Sequence, residues 1–135
     1  MSRKGRDPLA VLARLRNAEV MEARRRLMES AIAREEAAAR EAAAERALQE
    51  EAMSGHPAFA AWLPRGLAAR DATAAEHRLA EARSAEAASA LGVARAAERA
   101  VEKLAELRAA EAERARRRAE QRALDEAGAR GFSPR

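Results

Sequence analysis

The sequence contains no cysteine and no tyrosine, and it has one tryptophan, two phenylalanines and four prolines among its 135 residues. Without cysteine, disulfide bonds, thiolate metal ligands and thiol chemistry are excluded. Strand-forming residues are also scarce, because there is one threonine and one isoleucine, and no stretch alternates between polar and apolar side chains. The sequence therefore argues against a β-sheet and against a core built on aromatic side chains.

Alanine is the residue that the chain has in abundance. It accounts for 41 of the 135 residues, whereas only 12 residues are leucine. Alanine, arginine, glutamate and leucine are strong helix formers, and a composition dominated by them is typical of long helices and coiled coils. Because an alanine side chain buries little apolar area, we expect thin and marginally stable helix packing.

Proline and glycine divide the chain into two helical stretches. Asp7 and Pro8 supply an N-cap followed by a proline at the first helical position, and no helix breaker follows until Ser54 and Gly55. Helical composition resumes after the Pro- and Gly-containing stretch SGHPAFAAWLPRG and lasts until Gly128. We therefore predict an all-α fold, a long antiparallel two-helix coiled coil. The predicted parts are a frayed N-terminus at 1–7, a hairpin over 8–127 with its corner at 54–66, and a flexible tail at 128–135.

A heptad repeat in the second stretch predicts which side of that helix faces the first. Apolar residues recur there at multiples of seven, with a companion row between them, which is the spacing of a coiled-coil seam. The residues that we expect in the seam are Leu79, Val93 and Leu107, with Ala72, Glu86 and Ala100 at the intervening sevens and Ala90, Ala97 and Leu104 in the companion row.

Side chains that could carry catalysis are few and isolated. His56 lies in the corner and His77 in the second helix, and neither stands near a nucleophile in the sequence. No glycine-rich loop precedes a helix in the manner of a nucleotide site, and His77 with Glu76 or Glu81 does not match a metal-binding helix motif. We therefore expect a protein that is not an enzyme and has no catalytic residue, metal or cofactor, with both histidines at surface or capping positions.

Charge is distributed unevenly along the chain. Residues 1–26 carry a net charge of +5 and residues 108–135 a net charge of +3, whereas the residues between them carry −4. A hairpin would bring the two basic ends together, and clustered charge steers association with an acidic surface. The arginine-rich end can be interpreted as a solvated helix face, a protein-binding surface or a nucleic-acid-binding surface. Interspersed glutamates and missing aromatic residues make nucleic acid the least favoured of these.

The corner holds the most concentrated group of bulky apolar residues. Phe59, Trp62 and Leu63 lie within five residues of one another. They are interpreted either as a plug that closes the end of the hairpin or as an exposed anchor for a partner, since aromatic residues dominate binding hot spots.

Three stretches resemble those of a known family. The chain opens its first helix with PLAVLARLRNAEV, continues through HPAFAAWLPRGLAARDATAAEHRLAEA and ends with VEKLAELRAAEAERARRRAEQRALDEAG. In this pattern it resembles the FliJ family of flagellar type III export proteins, which are antiparallel two-helix coiled coils. It departs from the family in having no tyrosine, few glutamines and far more alanine.

The resemblance implies a non-catalytic stalk that binds the ring of an export ATPase and couples it to the export gate, a membrane protein, and to export chaperones. Such a stalk lies in the cytoplasm at the face of the flagellar basal body without entering the membrane; a related injectisome is equally compatible. The alternatives are a structural coiled coil that self-associates weakly and, less favoured, a basic helical nucleic-acid-binding protein. Residues implied to face the ATPase ring are Leu9, Leu12, Leu15, Arg114, Arg117, Arg118, Arg122 and Leu124, and those implied to face the gate or a chaperone are Phe59, Trp62 and Leu63.

Overall fold

The computed structural model describes residues 7–131, and it consists of two long helices joined by a short turn. Helix α1 spans Pro8–Ser54 and helix α2 spans Phe59–Gly131. The helices pack against each other as a hairpin, which confirms the predicted all-α fold. The described chain divides into two compact units, one formed by residues 17–95 and the other by residues 7–16 together with 96–131.

Helix α1 begins where the sequence predicts it. The Asp7 carboxylate accepts a hydrogen bond from the Leu9 amide at 3.1 Å, and the Asp7 carbonyl accepts one from the Val11 amide at 3.1 Å. Pro8 fits the first helical position because its missing N–H would have no partner within the helix. Residues 1–6, the rest of the predicted frayed terminus, lie outside the described residues.

The turn at residues 55–58 is built from local hydrogen bonds. Gly55 has a φ of +66°, a left-handed conformation that lets the chain leave the end of α1. The Ser54 hydroxyl accepts a hydrogen bond from the His56 amide at 3.2 Å, and His56 Nδ1 accepts one from the Ala58 amide at 3.0 Å. His56 thus takes a capping role, as the sequence predicts.

The corner is shorter than the expected range of 54–66. Helix α2 already begins at Phe59 and continues through Pro64. A proline removes one amide donor, so the carbonyl four residues earlier, at Ala60, loses its helical bond. Because Pro64 lies only five residues into α2, this loss falls near the helix end and does not break it.

The other end of α2 is longer than predicted. The helix continues past Gly128 to Gly131, where a flexible tail was expected. A glycine inside a helix costs about 1 kcal/mol relative to alanine, which weakens a helix without ending it. Residues 132–135 lie outside the described residues.

In the unit formed by residues 17–95, the helices run antiparallel along a seam of small side chains. Val20 and Ala23 of α1 form a buried cluster with Leu91 of α2, whereas Glu41 further along α1 meets His77 earlier in α2. Between residues 75 and 95, side chains that are not exposed occur at intervals of three and four, as a heptad requires. These are His77, Ala80, Ser84, Ala87, Leu91 and Ala94.

The predicted seam was therefore wrong by one residue over residues 75–95, whereas Ala97 of the predicted companion row is half-buried. Leu79 is 52% exposed, Val93 69% and Leu107 53%. In the unit of residues 17–95, packing along the predicted row would have buried Glu86, whereas the observed row places Ala80, Ser84 and Ala87 inside. Burying an unpaired ionised side chain costs more than leaving two apolar side chains in water, which explains the shift.

The second unit combines the first turns of α1 with the last part of α2. Val101 is buried there, and Leu9 and Leu12 are half-buried. From residue 102 to residue 131 of α2, every side chain is exposed except that of Glu113. We refer to residues 108–131 as the C-terminal segment, a stretch of helix in which every side chain except that of Glu113 is exposed.

Candidate functional site

The three bulky residues near the corner are half-buried. The Phe59 and Trp62 rings lie 6.3 Å apart between centroids, inclined at 32°. Trp62 lies over Gly66, where an added Cβ would come within 2.5 Å of the ring and 3.0 Å of a Leu48 methyl group. Trp62 therefore packs locally on its own helix beside Leu48 and also keeps part of its surface in contact with water.

The C-terminal segment presents arginines of two kinds. Arg116 and Arg117 both bind the Glu113 carboxylate, at 2.7 Å and 3.3 Å. Within residues 7–131, Arg114 and Arg118 have no carboxylate within ion-pairing distance. Arg114 and Arg118 therefore have charge to offer a partner without first breaking an internal pair.

The residues predicted to bind an ATPase ring do not all point the same way. Leu9 and Leu12 are half-buried, whereas Leu15 is 52% exposed. Arg114 and Arg118 lie on one side of α2, because four-residue spacing keeps side chains on one helix face. Leu124 is 67% exposed but lies six residues after Arg118, on a different face.

Two leucines that the sequence analysis placed in the seam lie on the same face of α2 as Arg114 and Arg118. Leu107 precedes Arg114 by seven residues and Leu104 precedes Arg118 by fourteen, so they lie on the same face of α2. Leu104 is 40% exposed and Leu107 is 53% exposed. The face therefore changes from apolar to cationic along the helix, which the sequence could have revealed had the seam been placed one residue later.

A polar cluster connects the two helices in the unit of residues 17–95. His77 Nδ1 lies 2.5 Å from a Glu41 oxygen across the seam, and His77 Nε2 lies 3.0 Å from a Glu81 oxygen on its own helix. Beside this cluster, Arg40 and Glu76 approach within 3.6 Å. The sequence suggested an ordinary surface residue at His77, but the structure places it in the seam.

We expect the His77 contact to contribute more stability than its exposed neighbour. The His77 and Glu41 side chains are 23% and 32% exposed, whereas those of Arg40 and Glu76 are 56% and 58% exposed. A double-mutant cycle with His77→Ala and Glu41→Ala, measured by urea unfolding, should give a coupling energy of about 1 kcal/mol. The same cycle for Arg40 and Glu76 should give about 0.5 kcal/mol or less. Equal couplings would contradict this ranking.

A shallow groove of about 670 Å³ follows the seam in the unit of residues 17–95. Alanines from both helices line it, and they leave the space that larger side chains would fill. At its α1 edge, Glu22 binds Arg25 at 2.6 Å and Arg26 at 3.1 Å. The hydrogen bond from Arg25 lowers the pKa of Glu22, with a further contribution from Arg26, and the pKa of Arg25 is raised in turn. The alanines that line the groove are Ala18, Ala23, Ala87, Ala90 and Ala94.

Residues 7–131 contain neither a metal-binding cluster nor a membrane-spanning stretch. No group of three or more histidine, aspartate or glutamate side chains is arranged to hold a metal ion. Neither helix contains a stretch that is both long enough and apolar enough to cross a membrane.

In comparisons with known proteins, no protein-family model, no curated protein and no solved structure matches the chain.

Proposed function

We propose that this chain is a non-catalytic coiled-coil component of a flagellar type III export apparatus, which binds the export ATPase ring and couples it to the export gate and chaperones. The proposal starts from the resemblance of three stretches to the FliJ family. It places the protein at the cytoplasmic face of the basal body. The corner residues Phe59, Trp62 and Leu63 are the proposed contact with the gate or a chaperone, and their partly exposed side chains leave apolar surface for it.

The observation that carries the ATPase contact is the exposed C-terminal segment. Its Arg114 and Arg118 side chains have no ion-pair partner within residues 7–131, and they share a face with the exposed Leu107. An apolar patch that continues into free cationic charge suits a partner surface that is apolar and then acidic. Charge of this kind sets the orientation of binding and raises the association rate.

The proposal predicts that reversing these two charges weakens binding to the export ATPase. The double variant Arg114→Glu/Arg118→Glu should bind the purified ATPase about tenfold or more weakly in titration calorimetry, because two attractive contacts become repulsive. The binding of the unchanged protein should also weaken as salt is raised, since exposed charges are screened.

A matched control separates this surface from overall charge. Arg24→Glu/Arg95→Glu makes the same change in net charge at two exposed arginines outside the segment, and it should bind nearly as well as the unchanged protein. Failure of the unchanged protein to bind the ATPase would refute the proposed function. Equal weakening by both double variants would remove the C-terminal segment from the contact.

A further inference from the structure

Helix α2 carries a second heptad row beside the seam, one residue away from the row that faces α1. In the unit of residues 17–95 this row runs through Leu79, Arg83, Glu86, Ala90 and Val93, at intervals of four, three, four and three. All five side chains are exposed, with Leu79 at 52% and Val93 at 69%. The spacing is that of a helix-packing surface, but α1 does not cover it.

This row borders the alanine-lined groove, and its charged side chains form no ion pair within residues 7–131. Arg83, Glu86 and Ala90 line the groove on the side of α2. Neither Arg83 nor Glu86 has an ion-pair partner within residues 7–131, whereas Glu22 on the opposite edge is bound by two arginines. The exposed row thus combines two bulky apolar residues, a notch at the small side chain of Ala90, and two unpaired charges of opposite sign.

We propose that this row is the interface of a homodimer, in which α2 of a second copy packs antiparallel on α2 of the first. A two-fold axis between Arg83 and Glu86 places Arg83 of each copy opposite Glu86 of the other. The same axis places Leu79 of each copy opposite Ala90 of the other, so the leucine fills the alanine notch. Each contact therefore occurs twice, as a two-fold interface requires.

Charge complementarity identifies a second copy as the occupant. Along α2 the row has an apolar residue, a positive residue, a negative residue and another apolar residue. A second copy that runs in the opposite direction therefore sets its negative residue against the positive residue of the first copy. The buried surface is small, since each copy contributes two bulky side chains, and stable dimers bury about 800 Å² per partner. The dimer therefore dissociates on dilution.

This interface is independent of the proposed ATPase contact. None of Leu79, Arg83, Glu86, Ala90 and Val93 belongs to the residues assigned to the ATPase, the gate or a chaperone. Failure of the dimer test leaves the ATPase proposal standing, and failure of ATPase binding leaves the dimer standing.

Sedimentation equilibrium of the full chain over a range of concentrations tests the interface. The unchanged protein should show a reversible monomer–dimer equilibrium. The double variant Leu79→Ser/Val93→Ser should dimerise about tenfold or more weakly, with helicity unchanged by circular dichroism, because both residues are exposed in the monomer. The matched variant Met28→Ser/Ile32→Ser, which removes two exposed apolar side chains from α1 (67% and 51% exposed), should dimerise normally.

Charge reversal tests the register. Arg83→Glu should weaken the dimer, because it sets two carboxylates against each other, and Arg83→Glu/Glu86→Arg should restore it by exchanging the partners. The proposal is overturned by a monomer at every concentration up to about 1 mM, well above the Kd of specific protein pairs. It is also overturned if the α1 variant disrupts the dimer, or if the double charge reversal fails to restore it.

Discussion

Replacing Leu91 by alanine is expected to destabilise the hairpin by about 2–3 kcal/mol, the lower part of the range for a buried leucine. Leu91 is 6% exposed and contacts the buried Val20 and Ala23. In a seam of small side chains it supplies much of the bulky apolar surface that joins the helices. Urea unfolding followed by circular dichroism measures the change.

Leu79→Ala is the matched control, because it removes the same atoms from the competing heptad row. Leu79 is 52% exposed, so its loss should change the free energy of unfolding by less than about 1 kcal/mol in dilute protein. If Leu79→Ala were the more destabilising of the two variants, the helices would be packed along the other row. Comparing the two variants therefore shows which row of α2 packs against α1.

Two glycine-to-alanine substitutions in α2 are expected to have opposite signs. A Cβ at Gly66 would lie 2.5 Å and 2.6 Å from two Trp62 ring atoms and 3.0 Å from Leu48. The Trp62 ring would have to move, and such overpacking typically costs about 1–3 kcal/mol. A Cβ at Gly92 would meet nothing within 4 Å, so Gly92→Ala should stabilise the helix by about 0.5–1 kcal/mol.

Thermal unfolding of the two glycine variants tests whether Trp62 packs on its own helix. The expected result is a lower midpoint for Gly66→Ala and a higher one for Gly92→Ala. If Gly66→Ala instead raised the midpoint as Gly92→Ala does, the Trp62 ring would not occupy the space over Gly66. The aromatic group would then be free to serve as a partner anchor alone.

The fold could be predicted from the sequence because several signals agree. Abundant alanine favours helix throughout, Asp7 and Pro8 define the beginning of α1, and Gly55 marks its end. The corner was overestimated because Pro64 and Gly66 were both interpreted as helix breakers. Pro64 lies near enough to the beginning of α2 to be tolerated, and Gly66 serves to make room for Trp62.

The seam could not be placed from α2 alone, because this helix carries two heptad rows one residue apart. The row with Leu79 and Val93 is bulkier, and sequence periodicity favours it for that reason. The row with Ala80 and Ala87 avoids burying Glu86, and that energetic difference decides the register. Because the seam does not follow the row of Leu79 and Val93, Leu104 and Leu107 are surface residues and lie on the same face as Arg114 and Arg118.

The role of His77 was also beyond the reach of sequence reasoning. Its contact with Glu41 joins residues 36 positions apart, so it depends on the register between the helices. Glu81, four residues after His77 on the same helix, was visible as a neighbour. The sequence therefore revealed the local half of this cluster and not the half that connects α1 to α2.

The central claim, that the chain reverses at residues 55–58 and pairs α1 with α2, is tested most directly by a distance measurement between spin labels. Because the chain has no cysteine, Arg24→Cys and Ser89→Cys can be labelled without further change, and both positions are exposed. Antiparallel packing predicts a separation of about 20–30 Å, the helix spacing plus the two label arms. A single unbent helix through both positions, 65 residues apart, would separate the labels by about 100 Å, and that result would contradict the hairpin.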